Sequence, residues 1–168
     1  RDLGAFSNAA CAGIDRLVTA YSEWIEDQQR AMPQLADRAA EFGNANITQC
    51  RQFLNDMRAG WELVQHDDEA RRCLADASRA MDLQRVGSTA PVRAVAHDGE
   101  QLVVAGSKPH LTQGSQSFWR PFQIAFVLAS IPKIVDPEHP GRSNVDVIWM
   151  PTGGGKTEAY LGLAAFTI

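Results

Sequence analysis

The stretch that decides how this chain is interpreted is VDVIWMPTGGGKTEAYLGLAAFTI, residues 145–168. It starts as a short apolar run, passes through three consecutive glycines, Lys156 and Thr157, and ends in an Ala- and Leu-rich segment. An apolar run of this length bounded by turn residues is typical of a buried strand. The pattern therefore predicts a strand at 145–150, then a glycine loop, then a helix that begins at Lys156.

The glycine loop has the composition of a phosphate-binding site. Glycines lack a Cβ atom, so Gly153, Gly154 and Gly155 can turn successive backbone N–H groups into one concavity. The helix that follows adds the positive end of its dipole, while Lys156 supplies a charge to the β and γ phosphates and Thr157 a hydroxyl to Mg²⁺. The candidate ATP- and Mg²⁺-binding residues are Thr152, Gly153, Gly154, Gly155, Lys156 and Thr157, with Thr157 as the metal ligand and Lys156 and Thr157 as the catalytic candidates.

One position departs from the strict phosphate-loop pattern. That pattern is G-x-x-x-x-G-K-[ST], and Met150 stands where the first glycine belongs. The alternative interpretation is a glycine-rich turn followed by a chance Lys-Thr pair. A strand before the loop and an apolar helix after it favour the phosphate site.

A second motif lies upstream, in RPFQ at 120–123, where Pro121 suits the first position of a helix. The Gln123 amide offers a donor and an acceptor together, which match the N6 and N7 edge of adenine. Gln123 is therefore the candidate adenine-binding residue, and the alternative is a solvated glutamine at a helix start. Core packing, rather than stacking on a base, is the expected role of Trp119 and Phe122.

Residues 1–88 predict a helical domain, because they are rich in Ala, Leu, Arg, Gln and Glu with apolar positions at three- and four-residue steps. Helices are expected near 7–30 and 33–42, with a break at Gly43. A third helix is expected from Asn46, capped as in a capping box by Gln49. Asp67 or Asp68 should cap a fourth helix that ends near Gly87. The sequence DDEA at 67–70 also resembles the acidic box of nucleotide-driven motors, but it precedes the glycine loop, and a helix cap is favoured.

Residues 89–116 change to Gly, Ser, Pro and Thr and predict a connector. Two β-branched runs flank Asp98-Gly99 there, which predicts a β-hairpin with those two residues in the turn. From 117 we expect a helix, a proline-rich loop at 132–144, the strand and the glycine loop. The predicted fold class is therefore a mainly α-helical N-terminal domain, 1–88, followed by the beginning of a RecA-like α/β domain, 117–168, within a larger protein.

Composition excludes several classes of protein. The net charge is −4, and no basic stripe marks a nucleic-acid surface. No apolar window reaches the roughly 18 residues of a membrane span. The cysteines, Cys11, Cys50 and Cys73, are odd in number and widely spaced, which fits a reducing cytoplasm better than a disulfide framework or a zinc site.

The segment RPFQIAFVLASIPKIVDPEHPGRSNVDVIWMPTGGGKTEAYLGLAAFTI, residues 120–168, resembles superfamily 2 helicases. Their loop reads x-x-T-G-x-G-K-T, which Met150 to Thr157 matches. Within that group it is similar to the DrmA helicase family of DISARM anti-phage defence, where an Arg-Pro-Phe-Gln helix, a DP-x-HP loop, an apolar strand and PTGGGKTEAYLGLAAFT recur together. The resemblance implies a bacterial ATP-dependent helicase or translocase that acts on invading DNA with a second defence subunit. It assigns no DNA-contacting residue.

Two other functions remain open at this point. The chain could be a non-enzymatic helical docking module of a multisubunit complex, with residues 1–90 binding a partner, or it could belong to another phosphate-loop ATPase such as a transporter or kinase. Phosphoryl transfer also requires a Mg²⁺-binding acid and a residue that places the attacking water. In the helicases these follow the glycine loop, beyond Thr167, so we expect the 168-residue chain alone to hydrolyse no ATP.

Overall fold

A computed structural model describes residues 8–34, 36–89, 95–104, 119–149, 151 and 153–168. The elements in chain order are α1 (Asn8–Ala31), a 3-10 turn (Met32–Gln34), α2 (Asp37–His66), α3 (Asp68–Thr89), β1 (Val95–Asp98), β2 (Gln101–Val104), α4 (Pro121–Val135) and α5 (Lys156–Thr167). No described helix combines the length and the apolarity that crossing a membrane requires.

Helix α2 runs without interruption through Gly43 and Asn46, so the predicted break and the predicted new cap are both wrong. A glycine in a helix interior costs only about 1 kcal/mol relative to alanine. Ile47 and Leu54, which follow it on α2, are buried with Ile25 of α1. Burial of such side chains contributes roughly 1.5–3 kcal/mol each, which outweighs the local preference to end the helix.

Asp67 caps the start of α3, as the sequence predicts. Its Oδ1 atom accepts the backbone N–H groups of Glu69 at 2.8 Å and Ala70 at 2.9 Å. These are among the amides that a helix start leaves without an intrahelical partner. DDEA is therefore a helix start, and the acidic-box interpretation is excluded for these residues.

The hairpin lies at 95–104, where β1 and β2 pair antiparallel with Asp98 opposite Gln101. The turn therefore consists of Gly99 and Glu100, one residue later than the Asp98-Gly99 turn expected from the sequence. Gly99 takes a φ of 63°. Because glycine has no Cβ, it adopts this left-handed conformation at little cost, and this places it first in the turn.

One hydrophobic core draws on all five helices. Its buried members are Ile14 of α1, Trp61 and Val64 of α2, Leu74 and Ala77 of α3, Ile124, Val127, Leu128 and Ile131 of α4, and Phe166 of α5. Helix α4 is central, because its residues 123–132 are all buried. The core thus fixes the start of α4 relative to both the N-terminal helices and α5.

Helix α4 also continues four residues past the predicted start of the proline-rich loop, through Pro132 to Val135. Arg142 stabilises this extra turn, since its Nη1 donates to the carbonyl oxygens of Lys133 at 2.8 Å and Ile134 at 3.0 Å. Carbonyls in the last turn of a helix have no intrahelical partner, and a nearby arginine satisfies them.

The predicted α/β fold class is wrong for the described part of the chain, which is helical apart from the two-stranded antiparallel sheet. Residues 145–149 form no strand, and Met150 lies outside the described residues. The sequence predicts that these side chains are buried in a strand, but they are exposed to solvent. The exposed fraction is 88% for Val145, 77% for Val147 and 93% for Trp149. A parallel strand is stable only between neighbours that bond its N–H and C=O groups, and the described residues supply none beside 145–149.

A candidate phosphate-binding loop between two helix starts

The glycine loop precedes α5 in a conformation that only glycine adopts easily. Gly153 has a φ of 80° and Gly155 a φ of 85°, both left-handed. The Gly154 N–H donates to the Pro151 carbonyl oxygen at 3.3 Å, which closes a turn. Gly155 is the residue immediately before α5, so the first amides of that helix, which have no intrahelical partner, adjoin the loop.

Lys156 is the first residue of α5 and folds back over the loop. Its Nζ donates to the Pro151 carbonyl oxygen at 3.0 Å. An ammonium group carries three donors, and this bond uses one of them. Thr157 and Glu158 follow in the first turn of α5 and are exposed. Thr152, the remaining loop candidate, lies outside the described residues.

The start of α4 lies directly against the loop. Arg120 Nη1 donates to the Gly154 carbonyl oxygen at 2.9 Å, and Gln123 Nε2 donates to the Gly155 carbonyl oxygen at 2.8 Å. The structure therefore brings the two motifs of the sequence together across more than 30 residues of chain. The sequence includes Arg120 in the RPFQ motif but gives no indication that its side chain contacts the loop.

Gln123 is 5% exposed, and both ends of its amide are engaged. Its Oε1 accepts the Arg120 backbone N–H at 2.9 Å, while Nε2 faces Gly155. A primary amide has two N–H donors and two acceptor lone pairs, and its bonds to the described residues use one of each. The described contacts make Gln123 a link between α4 and the loop, and adenine binding stays a prediction.

Trp119 packs where the sequence predicts it, against the core. Its indole lies so close to Gly162 of α5 that a Cβ atom there would be 2.3 Å from it, and its Nε1 donates to Ser78 Oγ of α3 at 3.2 Å. Trp119 thus joins α3 to α5 immediately before Arg120. This packing fixes the entry of α4 beside the loop.

Gly153 of the loop is exposed, while Gly154, Gly155 and Lys156 are half-buried. Two grooves, of about 300 and 690 Å³, run along α4, and neither is lined by residues 153–157. Phe122 lines the smaller groove together with residues 146–149.

The described residues contain no group of three His, Cys, Asp or Glu side chains placed to hold a metal ion. Burial, with the neighbouring Cys50 thiol, raises the pKa of Tyr21. Tyr21 lies on α1, in the packing between α1 and α2, so it is no candidate base for the loop.

Comparison with known proteins gives a short match. No protein-family model matches the chain. The chain is 56% identical over 50 residues to the DISARM protein DrmA of Bacillus paralicheniformis. The matched stretch is 30% of this chain and only 4% of that relative, so the chain spans a small part of the relative's length. The similarity supports the predicted relation to DISARM proteins, over that stretch.

Proposed function

We propose that this chain is part of a DISARM-type anti-phage defence protein in which the glycine loop binds Mg²⁺-ATP and powers a DNA helicase or translocase. The observation that carries the proposal is the loop with left-handed Gly153 and Gly155 at the start of α5, with Lys156 as the first helical residue. The similarity to the DISARM protein DrmA supports the defence context.

The loop suits a polyphosphate on physical grounds. A helix start presents unpaired N–H groups and the positive end of the helix dipole. The Lys156 ammonium now rests on the neutral Pro151 carbonyl, and a phosphate oxygen is a stronger acceptor because it is charged. A triphosphate would therefore attract the Lys156 ammonium, while the exposed Thr157 hydroxyl would meet the Mg²⁺ ion.

The remaining parts of the proposal rest on the resemblance to helicases. Gln123 is the proposed adenine contact, through the amide N–H and lone pair that its bonds to Arg120 and Gly155 do not use. The proposal also includes DNA as the substrate, a second defence subunit as the partner, and a cytoplasmic location.

The test is Lys156→Ala in the intact protein, with Thr167→Ala as the control, since Thr167 lies at the far end of α5 and its hydroxyl contacts only the Ala164 carbonyl oxygen among the described residues. Losing a charge-assisted contact costs about 1.5–3 kcal/mol, which is roughly a 10- to 100-fold loss of affinity. Calorimetry with Mg²⁺-ATP should show that loss. DNA-stimulated ATP hydrolysis and protection against phage should fall with it.

Wild-type ATP turnover and phage protection in Lys156→Ala would refute the proposal and favour the docking module. Turnover that depends on Lys156 but not on DNA would instead favour another phosphate-loop ATPase.

A further inference from the structure

We infer that Arg120 is a positioning residue for the phosphate loop, a role that rests on the proposed function. The bond from Arg120 Nη1 to the Gly154 carbonyl oxygen, 2.9 Å, fixes which way the peptide between Gly154 and Gly155 faces. In a trans peptide the C=O and the following N–H point in opposite directions. Holding the carbonyl toward α4 therefore directs the Gly155 N–H away from α4.

The next peptide along the chain, between Gly155 and Lys156, is oriented in the same way. Gln123 Nε2 holds the Gly155 carbonyl oxygen at 2.8 Å, which turns the Lys156 N–H away from α4 as well. Two consecutive N–H groups that face the same side form a concave anion site. The start of α4 thus sets the direction of the amides that the phosphates would use.

The close fit supports this reasoning. A Cβ atom on Gly155 would lie 2.8 Å from Gln123 Nε2 and 3.7 Å from Arg120 Nη1. The loop backbone therefore packs tightly against Gln123, with Arg120 at ordinary contact distance. Arg120 itself is exposed, so removing its side chain takes away the bond to Gly154 without opening the core.

A positioning residue orders the loop before any ligand binds, whereas a residue that only contacts the ligand does not. We would measure hydrogen exchange of the loop amides in the ligand-free intact protein, and affinity for Mg²⁺-ATP and Mg²⁺-tripolyphosphate. The variants are Arg120→Ala and Arg120→Lys, which keeps a donor. The matched control is Arg58→Ala, whose exposed guanidinium contacts Ser22 on α1.

Arg120→Ala should speed exchange of the Gly154 amide, which donates to the Pro151 carbonyl oxygen within the loop, while α2 amides keep their wild-type rates. Both ligands should bind more weakly by the same factor, at most roughly 10- to 100-fold, the range for one lost hydrogen bond from a charged group. Arg120→Lys should restore part of the protection, and Arg58→Ala should match wild type. Equal loss for both ligands is expected because positioning acts on the phosphate site and not on the base.

Unchanged loop exchange in Arg120→Ala would overturn the inference, whether or not affinity falls, because a fall alone would mean direct contact with the ligand. Failure of the proposed function looks different. The wild-type protein would then bind neither ligand, and Lys156→Ala would be indistinguishable from it, while the exchange measurement would still decide whether Arg120 orders the loop.

Discussion

Gly60 lies on α2 where that helix meets the backbone of α4, and replacing it with alanine should force the two helices apart. A Cβ atom at this position would lie 1.9 Å from the Leu128 carbonyl oxygen and 2.8 Å from its carbonyl carbon. Pro132, four residues after Leu128, has no N–H to bond that oxygen as in a regular helix. The contact is with backbone, so no side-chain rotation relieves it.

The expected magnitude follows from two opposing terms. Alanine is better than glycine in a helix by about 0.5–1 kcal/mol. Real Cβ atoms essentially never approach closer than 3.0 Å, so the 1.9 Å contact must open by about 1.1 Å. That shift loosens Val127, Leu128 and Ile131, all 0% exposed, and overpacking of this kind costs roughly 1–3 kcal/mol. Taking the upper end for a backbone collision leaves a net loss of about 2 kcal/mol, or roughly 4–8 °C in Tm for a chain of this size.

Thermal unfolding followed by far-UV circular dichroism measures this loss. Gly13→Ala is the matched control, because Gly13 is inside α1 and a Cβ there would meet nothing nearer than the Arg16 guanidinium at 4.0 Å. The control should raise Tm slightly, through helix propensity alone. If Gly60→Ala proves as stable as Gly13→Ala, the close approach of α2 to α4 is refuted.

Three further substitutions test other parts of the structure. Gly155→Ala places a side chain at a φ of 85°, which costs roughly 1–2 kcal/mol; Mg²⁺-ATP affinity should fall about 10-fold, and unchanged affinity would contradict the loop geometry. Asp67→Ala removes the cap of α3 and should lower stability by about 1 kcal/mol, while Asp67→Asn keeps most of it; equal losses in chemical denaturation would count against capping. Lys133→Met removes the cation that bridges Asp56 at 3.6 Å and Asp146 at 3.0 Å, so limited proteolysis should cut faster near Asp146, and an unchanged rate would show that this bridge does not hold the segment.

At the start of α4, the sequence predicts the helix but not the contacts that the helix makes with distant residues. Pro121 and the apolar run after it predict a helix correctly, because a proline at the first helical position and a packed apolar stripe are local signals. The contact of Arg120 with Gly154 is invisible in the sequence. It depends on tertiary packing, in which the shared core and the contacts of Trp119 with α3 and α5 bring the two helix starts together.

The sequence by itself determined the helices α1, α3 and α5, the cap at Asp67 and the glycine loop, since each depends on residues within a few positions of one another. Tertiary structure alone decided that α2 continues through Gly43, that Gln123 faces the loop, and that 145–149 is not a strand. The physical reason is the same in each case: burial and backbone pairing depend on partners distant in the chain. An apolar run becomes a strand only where a neighbouring strand accepts its hydrogen bonds.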